Sequence, residues 1–206
     1  MNYNLRLHFK GSRNYIQGPD MLYESMAIIM KHFPSGCNNV NLTIHRMTDR
    51  NLRLSLHRAE AGNAEMTPSR IATLRFHDAN SKAWIAYLSE LPTKPSKRTN
   101  YDESVITALC HYDDERRLVS LTGQPDLNAI ETLIAMNKAL HLRLLPVQTA
   151  QWVFARWESK YWPIASNLAG AQIQIVQTLG NHLTKSEICL EDRSLGYIFF
   201  SAKKTQ

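Results

Sequence analysis

Residues 19–33 read PDMLYESMAIIMKHF, and this stretch decides the fold. Its opening, Pro19 followed by Asp20, is typical of a helix start. Proline suits the first helical turn, and an aspartate side chain accepts a backbone hydrogen bond there. The residues that follow are apolar on nearly every side of a helix, and Pro34 and Gly36 end the run. We therefore predict a helix that is buried on most of its sides.

A second stretch repeats this pattern in the other half of the chain. Residues 125–140 read PDLNAIETLIAMNKAL, with the same Pro-Asp opening. Aligning the two stretches, with one extra residue allowed, pairs Glu24 with Glu131 and Lys31 with Lys138. In each half, one strand-like run precedes the predicted helix and four follow it. The runs of the first half are residues 5–9, 40–47, 52–58, 69–77 and 82–88. Those of the second half are residues 118–122, 151–158, 171–179, 183–191 and 195–202. We interpret this order as an internal duplication.

The repeated unit predicts the fold class. A helix that is apolar on every side needs a sheet wrapped around it, and the four or five strands of each unit supply one. This arrangement is the hotdog architecture, so we expect an α+β chain that forms a tandem (double) hotdog. Residues 92–100 contain two prolines and three positive charges and predict a linker. The units are then residues 1–91 and 101–206, with residues 104–112 forming either a further strand or a short helix.

Composition excludes several classes of protein. The chain has 206 residues, of which 44% are hydrophobic and 20% charged, as in ordinary globular proteins and unlike disordered, collagen-like or coiled-coil chains. No apolar run approaches the roughly 20 residues that span a membrane. The first residues lack the apolar core of a signal peptide, and three widely spaced cysteines favour a reducing compartment. We expect a cytoplasmic protein.

Positive charge is concentrated in the first half. Residues 1–100 hold 14 Lys and Arg against 7 Asp and Glu, whereas residues 101–206 hold 10 against 11. A lopsided field of this kind steers an acidic partner to one face. The charges that form this basic set are Arg46, Arg50, Arg53, Arg58, Arg70, Arg75, Lys94, Lys97 and Arg98.

One segment resembles a known enzyme family. His8-Phe9-Lys10-Gly11 is followed by Tyr15-Ile16-Gln17-Gly18 and by residues 21–27, MLYESMA. These residues resemble the active-site region of the β-hydroxyacyl-acyl-carrier-protein dehydratases. That hotdog family, which is related to thioesterases, carries a His-Phe motif, a proline-glycine turn and an acidic residue in the helix before Ala-Met. Here Gln17 replaces the proline, and two of the spacings are one residue longer.

The resemblance implies acid–base chemistry on an acyl thioester, either dehydration or hydrolysis. By analogy with the family, His8 would remove an α-proton and Glu131, from the other unit, would protonate the leaving hydroxyl. Glu24 is the alternative partner of His8. Gly18, just before the helix, would help to polarise the thioester carbonyl. No cofactor is implied. The substrate would be carried on acyl-carrier protein or coenzyme A, with candidate binding residues Arg46, Arg53, Lys97 and Arg98.

Structural explanations compete with these roles. Asp20 and Asp126 fit helix caps, and the Glu–Lys pairs at 24/31 and 131/138 fit the solvent edge of each helix. His8 fits an ordinary surface position. The aromatic residues Trp152, Trp157, Tyr161 and Trp162 fit core packing, or alternatively an acyl pocket. The histidines of separate strands lack metal-ligand spacing, so we expect no metal site from His45, His57, His77 and His111.

Other functions remain open at this point. Strand–helix–strand units with a basic half also describe an RNA-binding protein built of tandem ferredoxin-like modules. A subunit that only binds, without catalysis, is a further alternative, and the chain could form a homodimer. The dehydratase or thioesterase is the leading hypothesis.

Overall fold

The computed structural model describes residues 1–59, 69–146, 150–180 and 182–204. The chain forms two compact units. Unit 1 comprises Met1–Tyr101 with Ser159–Pro163, and unit 2 comprises Asp102–Glu158 with Ile164–Gln206. Residues 92–100, which the sequence predicts as a linker, therefore lie in unit 1. Arg98 ties them there by donating to the backbone oxygens of Gly11 and Arg13 at 2.7 and 2.9 Å.

Unit 1 is an antiparallel sheet with one long helix. The helix is α1 (Gly18–His32). The strands are β1 (Asn2–Asn4), β2 (Phe9–Lys10), β3 (Cys37–Ile44), β4 (Leu52–Arg58), β5 (Arg70–Asp78), β6 (Ala83–Glu90) and β7 (Arg98–Thr99). Five strands pair antiparallel in the order β1-β4-β6-β5-β3, whereas β2 and β7 form a separate parallel pair.

One face of the unit 1 sheet carries the core. Leu42, Leu74, Ala86 and Leu56 are register partners across four strands, and all are buried. Phe33, which follows α1, packs its ring on Phe76 and Trp84 of the same face. The alternation along each strand then directs the intervening side chains to the opposite face. The helix is less enclosed than expected, because Tyr23 and Ala27 are exposed.

Unit 2 likewise combines a sheet with one long helix and has a second, short helix. Its helices are α2 (Ser104–Thr107) and α3 (Ala129–Leu144). Its strands are β8 (Cys110–Asp113), β9 (Leu118–Leu121), β10 (Ala150–Trp162, whose last residues count with unit 1), β11 (Gln172–Leu179), β12 (Leu183–Leu190) and β13 (Arg193–Lys204). The strand order is β10-β13-β12-β11-β9-β8. The undecided residues 104–112 thus supply both the short helix α2 and the start of β8. An internal duplication stays a prediction.

The two predicted caps are wrong. Helix α1 is preceded by Gln17, and Asp20 lies inside its first turn, where it forms an ion pair with Lys10 at 2.5 Å. Helix α3 is capped by Asn128, which accepts a hydrogen bond from the Glu131 backbone N–H at 2.9 Å, so Asp126 lies outside the helix. The Pro-Asp pair lies within the first turn of α1 but before the cap of α3, so neither aspartate is at the cap position.

The predicted strand at residues 5–9 is shorter than expected. Residues 5–8 are not part of a strand, although Leu5 and Leu7 are buried as the alternation predicts. The Leu5 N–H still donates to the Leu52 oxygen at 3.0 Å, which holds this segment against the sheet. None of the helices in the described part of the chain combines the length and apolar character that crossing a bilayer requires.

Candidate functional site

Polar side chains lie buried in unit 2 on helix α3 and on the strand that it packs against. Asn137 and His141 are one helical turn apart, and Thr184 and Ser186 are two residues apart on β12. All four are buried. We call these four residues the α3–β12 polar set. Residues at such spacings share a face of their helix or strand, so each pair points into the same layer of the core.

His141 is held by hydrogen bonds at both ring nitrogens. Its Nδ1 lies 2.7 Å from the backbone oxygen of Asn137, and its Nε2 lies 2.6 Å from Thr184 Oγ1. A carbonyl oxygen only accepts, so Nδ1 carries the proton and donates it. Nε2 then accepts from the Thr184 hydroxyl. The partners thereby assign the neutral Nδ1–H tautomer.

The surroundings of His141 keep it uncharged. Its ring packs edge-on against Trp152 at 5.0 Å between centroids and lies 4.9 Å from Phe200. Burial in this apolar setting lowers the pKa of His141 from 6.5 to about 4, against a raising effect of the hydrogen bond to Asn137. A histidine with so low a pKa is a poor general base at neutral pH. Its hydrogen bonds instead fix the positions of Thr184 and of the helical turn at Asn137.

The side-chain amide of Asn137 is the exceptional feature of the set. Asn137 is 0% exposed, yet neither its Nδ2 nor its Oδ1 has a hydrogen-bond partner among the described residues. Ser186 Oγ is likewise buried and unpartnered, between its register partners Ile175 and Ile198. An unsatisfied buried polar group costs about 1–3 kcal/mol, and most such groups in native proteins are paired. An amide kept at that cost, with its donors and acceptor unused, is suited to hold a polar ligand group.

Glu131 is also in unit 2, and the structure gives it a capping role. It is only 6% exposed, and its Oε2 accepts from Asn128 Nδ2 at 2.6 Å. Together with the Asn128 cap of the Glu131 N–H, this is a reciprocal capping arrangement at the start of α3. The expectation that Glu131 lies on a solvent edge is wrong. Lys138 instead pairs with Glu103 at 2.7 Å.

The other residues that the resemblance predicts, His8, Glu24 and Gly18, lie in unit 1. His8 is half-buried in the segment before β2, and its side chain makes no hydrogen bond with the described residues. Glu24 is half-buried in the middle of α1. Gly18 is the first residue of α1, as a role for the helix start requires. The catalytic roles of His8, Glu24 and Glu131 stay predictions.

The predicted basic binding residues have varied environments. Arg46 pairs with Glu90 at 3.1 Å. Arg53 and Lys97 are exposed. Arg98 holds the loop at residues 11–14 through three hydrogen bonds, the third to Asn14 Oδ1 at 2.7 Å. Among the described residues, no three His, Cys, Asp or Glu side chains come together as a metal site.

The aromatic residues of β10 divide between core and surface. Trp152 and Trp157 are buried, as core packing predicts, and Trp152 Nε1 donates to the Leu145 oxygen at 2.8 Å. Tyr161, in contrast, is 69% exposed. No role was predicted for Asn137 or His141. Their i, i+4 spacing, which places both on one face of α3, was the available signal, although Glu131, Thr132, Lys138 and Arg143 of the same helix are polar as well.

Comparison with known proteins addresses the fold. No protein-family model and no curated protein sequence matches the chain. The 12:0-ACP thioesterase from Umbellularia californica aligns over 100% of this chain and 97% of its own, at 8% identity and a TM-score of 0.50. An acyl-ACP thioesterase from Bacteroides thetaiotaomicron aligns over 98% and 97%, at 8% identity and a TM-score of 0.51. The chain has a hotdog fold.

The hotdog fold confirms the predicted α+β class and replaces the alternative of ferredoxin-like modules. A ferredoxin-like module has the order βαββαβ. In unit 2, the four strands β10–β13 follow α3, and no helix separates them in the described residues. The dehydratase domain from the CurJ module of curacin polyketide synthase also aligns, over 100% of this chain and 91% of its own, at 9% identity and a TM-score of 0.48. At such identities the hotdog likeness concerns the fold and leaves the chemistry to the site.

Proposed function

We propose that the protein binds acyl thioesters, carried on acyl-carrier protein or coenzyme A, and acts on them as a thioesterase or a 3-hydroxyacyl dehydratase. The observation that carries this proposal is the fully buried, unpartnered amide of Asn137 on the core face of α3. The proposal also agrees with the likeness in fold to two solved structures that align over nearly the whole chain, both of them acyl-ACP thioesterases.

Asn137 would contact the thioester itself. Its Nδ2 has two N–H donors, and a thioester carbonyl oxygen accepts hydrogen bonds from such groups. Both candidate reactions build negative charge on that oxygen, in an enolate-like or a tetrahedral state. A fixed amide donor in a water-poor site stabilises this charge without reorganisation. The Oδ1 atom would accept from the substrate hydroxyl in dehydration, or from the attacking water in hydrolysis. Because Asn137 is covered in the structure, substrate binding would open the core beside α3.

His141 and Thr184 would act as positioning residues. The uncharged imidazole takes the Thr184 proton at Nε2 and holds the Asn137 backbone oxygen through Nδ1. These two bonds would hold the helical turn of Asn137 against β12, and with it the backbone position from which the amide extends. With a pKa of about 4, His141 does not serve as the proton acceptor of the reaction.

Proton transfer is assigned to the residues that the dehydratase resemblance predicts. The resemblance gives the α-proton to His8 and the proton for the leaving hydroxyl to Glu131, with Glu24 as the alternative acid, and these roles stay predictions. An imidazole and a carboxyl group are the types of side chain that acid–base catalysis of this kind requires. The support here is the resemblance of residues 8–27 to the family and the burial of Glu131. A chain that only binds thioesters would keep Asn137 and dispense with His8.

Turnover measurements test the proposal. Purified protein is incubated with a series of acyl-CoA and 3-hydroxyacyl-CoA thioesters, and the release of thiol or the formation of the enoyl product is followed. Asn137→Leu is expected to lower kcat/KM about 100-fold or more, as the loss of an oxyanion donor does. Thr132→Val, a substitution of a buried polar residue on the same helix, is the matched control. Equal activity of wild type and Asn137→Leu would contradict the proposal.

A further inference from the structure

The inner face of the unit 2 sheet carries two buried polar atoms that no hydrogen bond uses. Ser186 and Trp157 are both 0% exposed, and neither Ser186 Oγ nor Trp157 Nε1 has a partner among the described residues. Trp152, on the same strand as Trp157, is satisfied, because its Nε1 donates to the Leu145 oxygen. Unpaired buried polar atoms are rare in native proteins, since each one destabilises the fold.

Ring contacts define how β10 lies along β13. The Phe154 ring is 6.5 Å from the ring of Phe200, measured between centroids. Two residues further along β10, the guanidinium of Arg156 is 5.2 Å from the ring centroid of Phe199, which precedes Phe200 in the chain. Residue numbers therefore rise along β10 as they fall along β13, and the two strands are antiparallel.

The row of inward side chains that contains Ser186 crosses four strands. Ile175, Ser186 and Ile198 are register partners on β11, β12 and β13. Trp157, the next buried residue of β10 after Phe154, comes level with Ile198 in this antiparallel pairing. Adjacent strands lie about 4.8 Å apart, so the positions of Ser186 and Trp157 are about 10 Å apart, with one isoleucine between them.

This row lies next to the contact that joins α3 to the sheet. Thr184, the preceding inward residue of β12, bonds His141, and Asn137 precedes His141 by one helical turn. Asn137 and Ser186 are thus each about 6–7 Å along their own element from the same contact. A thioester whose carbonyl binds Asn137 would insert its acyl chain between α3 and this face of the sheet.

We infer that the acyl chain of the substrate carries a hydroxyl or keto oxygen beyond its β-carbon, bound by Ser186 and Trp157; this rests on the proposed function. An indole N–H only donates, so Trp157 requires an oxygen acceptor, whereas the Ser186 hydroxyl both donates and accepts. A ketone or alcohol oxygen meets both requirements. A saturated alkyl chain would leave both polar atoms unpaired, as they are in the free protein.

A charged group on the chain fits this face less well. Among the described residues of β10 to β13, none is both buried and charged. The row of Ser186 and Trp157 otherwise consists of the buried isoleucines Ile175 and Ile198. A carboxylate placed there would lose its hydration without gaining an opposite charge, whereas an uncharged oxygen needs only hydrogen bonds.

Selectivity between matched thioesters tests this assignment. The probes are octanoyl-CoA and its 5-oxo, 6-oxo and 7-oxo derivatives, which share the chain length and differ by one oxygen. The 3-hydroxy forms of the same acids serve for dehydration. Affinities are measured by calorimetry and kcat/KM by product formation. The readout is the ratio of kcat/KM for the best oxo substrate to that for octanoyl-CoA, in wild type, Ser186→Ala and Trp157→Phe. Ile198→Val, which shortens the residue between them and removes no polar atom, is the control.

Wild type is expected to prefer one oxo substrate about tenfold or more, since a site built for a polar group rejects the analogue that lacks it. Ser186→Ala and Trp157→Phe each lower this ratio about threefold or more. Ile198→Val changes the ratio less than about twofold, because it alters packing alone.

Equal use of octanoyl-CoA and all its oxo derivatives by wild type overturns the inference and leaves the proposed function standing. A preference that Ser186→Ala and Trp157→Phe leave unchanged, or that Ile198→Val lowers equally, also overturns it. Wild type that neither binds nor converts any of the thioesters contradicts the proposed function itself, and the inference falls with it.

Discussion

His141 Nε2 accepts the hydroxyl proton of Thr184 across 2.6 Å, and both side chains are sealed in the core of unit 2. This bond, with the one from Nδ1 to the Asn137 oxygen, commits the imidazole to its neutral form. The free energy of unfolding is therefore expected to depend on pH, and the helical turn at Asn137 is expected to be held in place. Each can be measured without knowing the substrate.

Stability will depend on the protonation of His141. Its pKa falls from 6.5 to about 4 on folding, so the unfolded chain binds a proton below about pH 6.5 and the folded chain only below about pH 4. The contribution of neutral His141 to the free energy of unfolding is therefore fully present above about pH 6.5. It is lost as the pH falls towards 4, by at most about 3 kcal/mol. Urea unfolding at about pH 4.5 and 7.5 measures the difference. His141→Gln is expected to reduce the difference in unfolding free energy between the two pH values. His182→Gln, at an exposed position, is expected to leave that difference unchanged. An unaltered pH dependence in His141→Gln would show that His141 titrates normally.

The two hydroxyls of the α3–β12 polar set should respond in opposite directions. Thr184→Val removes the donor to His141 and leaves Nε2 buried without a partner, which costs about 1–3 kcal/mol of unfolding free energy. Ser186→Ala removes a hydroxyl that has no partner, so the free energy of unfolding stays the same or rises. Thermal or urea unfolding of both variants gives the comparison. A larger loss in Ser186→Ala than in Thr184→Val would contradict the assigned hydrogen bonds.

The start of α3 distinguishes two candidate caps. Asn128→Ala removes the acceptor of the Glu131 N–H and the donor to its carboxylate, with an expected loss of about 1 kcal/mol. Asp126→Ala changes a residue outside the helix and should stay within about 0.5 kcal/mol of wild type. The same unfolding measurement applies. Equal losses in the two variants would restore Asp126 as a cap.

Much of the fold was predictable from local pattern. Residues 52–58 alternate apolar and polar side chains, and the strand there has the predicted bounds, Leu52–Arg58. The runs at residues 69–77 and 82–88 were predicted as strands, and a turn at residues 78–81 joins them. It is closed by the Asp78 side chain, which accepts from the N–H groups of Asn80 and Lys82. Such features are decided by residues that are neighbours in sequence.

The α3–β12 polar set was beyond local pattern. Because α3 carries further polar residues, among them Glu131, Thr132, Lys138 and Arg143, its sequence does not reveal which face meets the sheet, and Asn137 could equally have been a polar residue at a surface. The face of α3 that meets the sheet is marked by contacts distant in the chain, such as that of His141 with Thr184, 43 residues away. The cap of α3 was missed for a related reason, since Asn128 and Asp126 are both competent caps and the path of the preceding chain selects between them.

Asn137→Leu tests the central claim most directly. Leucine has the same branched side chain of four heavy atoms as asparagine and needs no hydrogen bond, but it is bulkier. Removal of an unpaired buried amide is worth about 1–3 kcal/mol and extra volume in the core costs a similar amount, so the free energy of unfolding is expected to stay the same or rise. Activity on, or affinity for, acyl-CoA thioesters should fall about 100-fold or more in the same variant. Thr132→Val, which loses a satisfied hydroxyl on the same helix, is expected to keep the activity. A less stable Asn137→Leu protein with unchanged thioester binding and turnover would contradict the account.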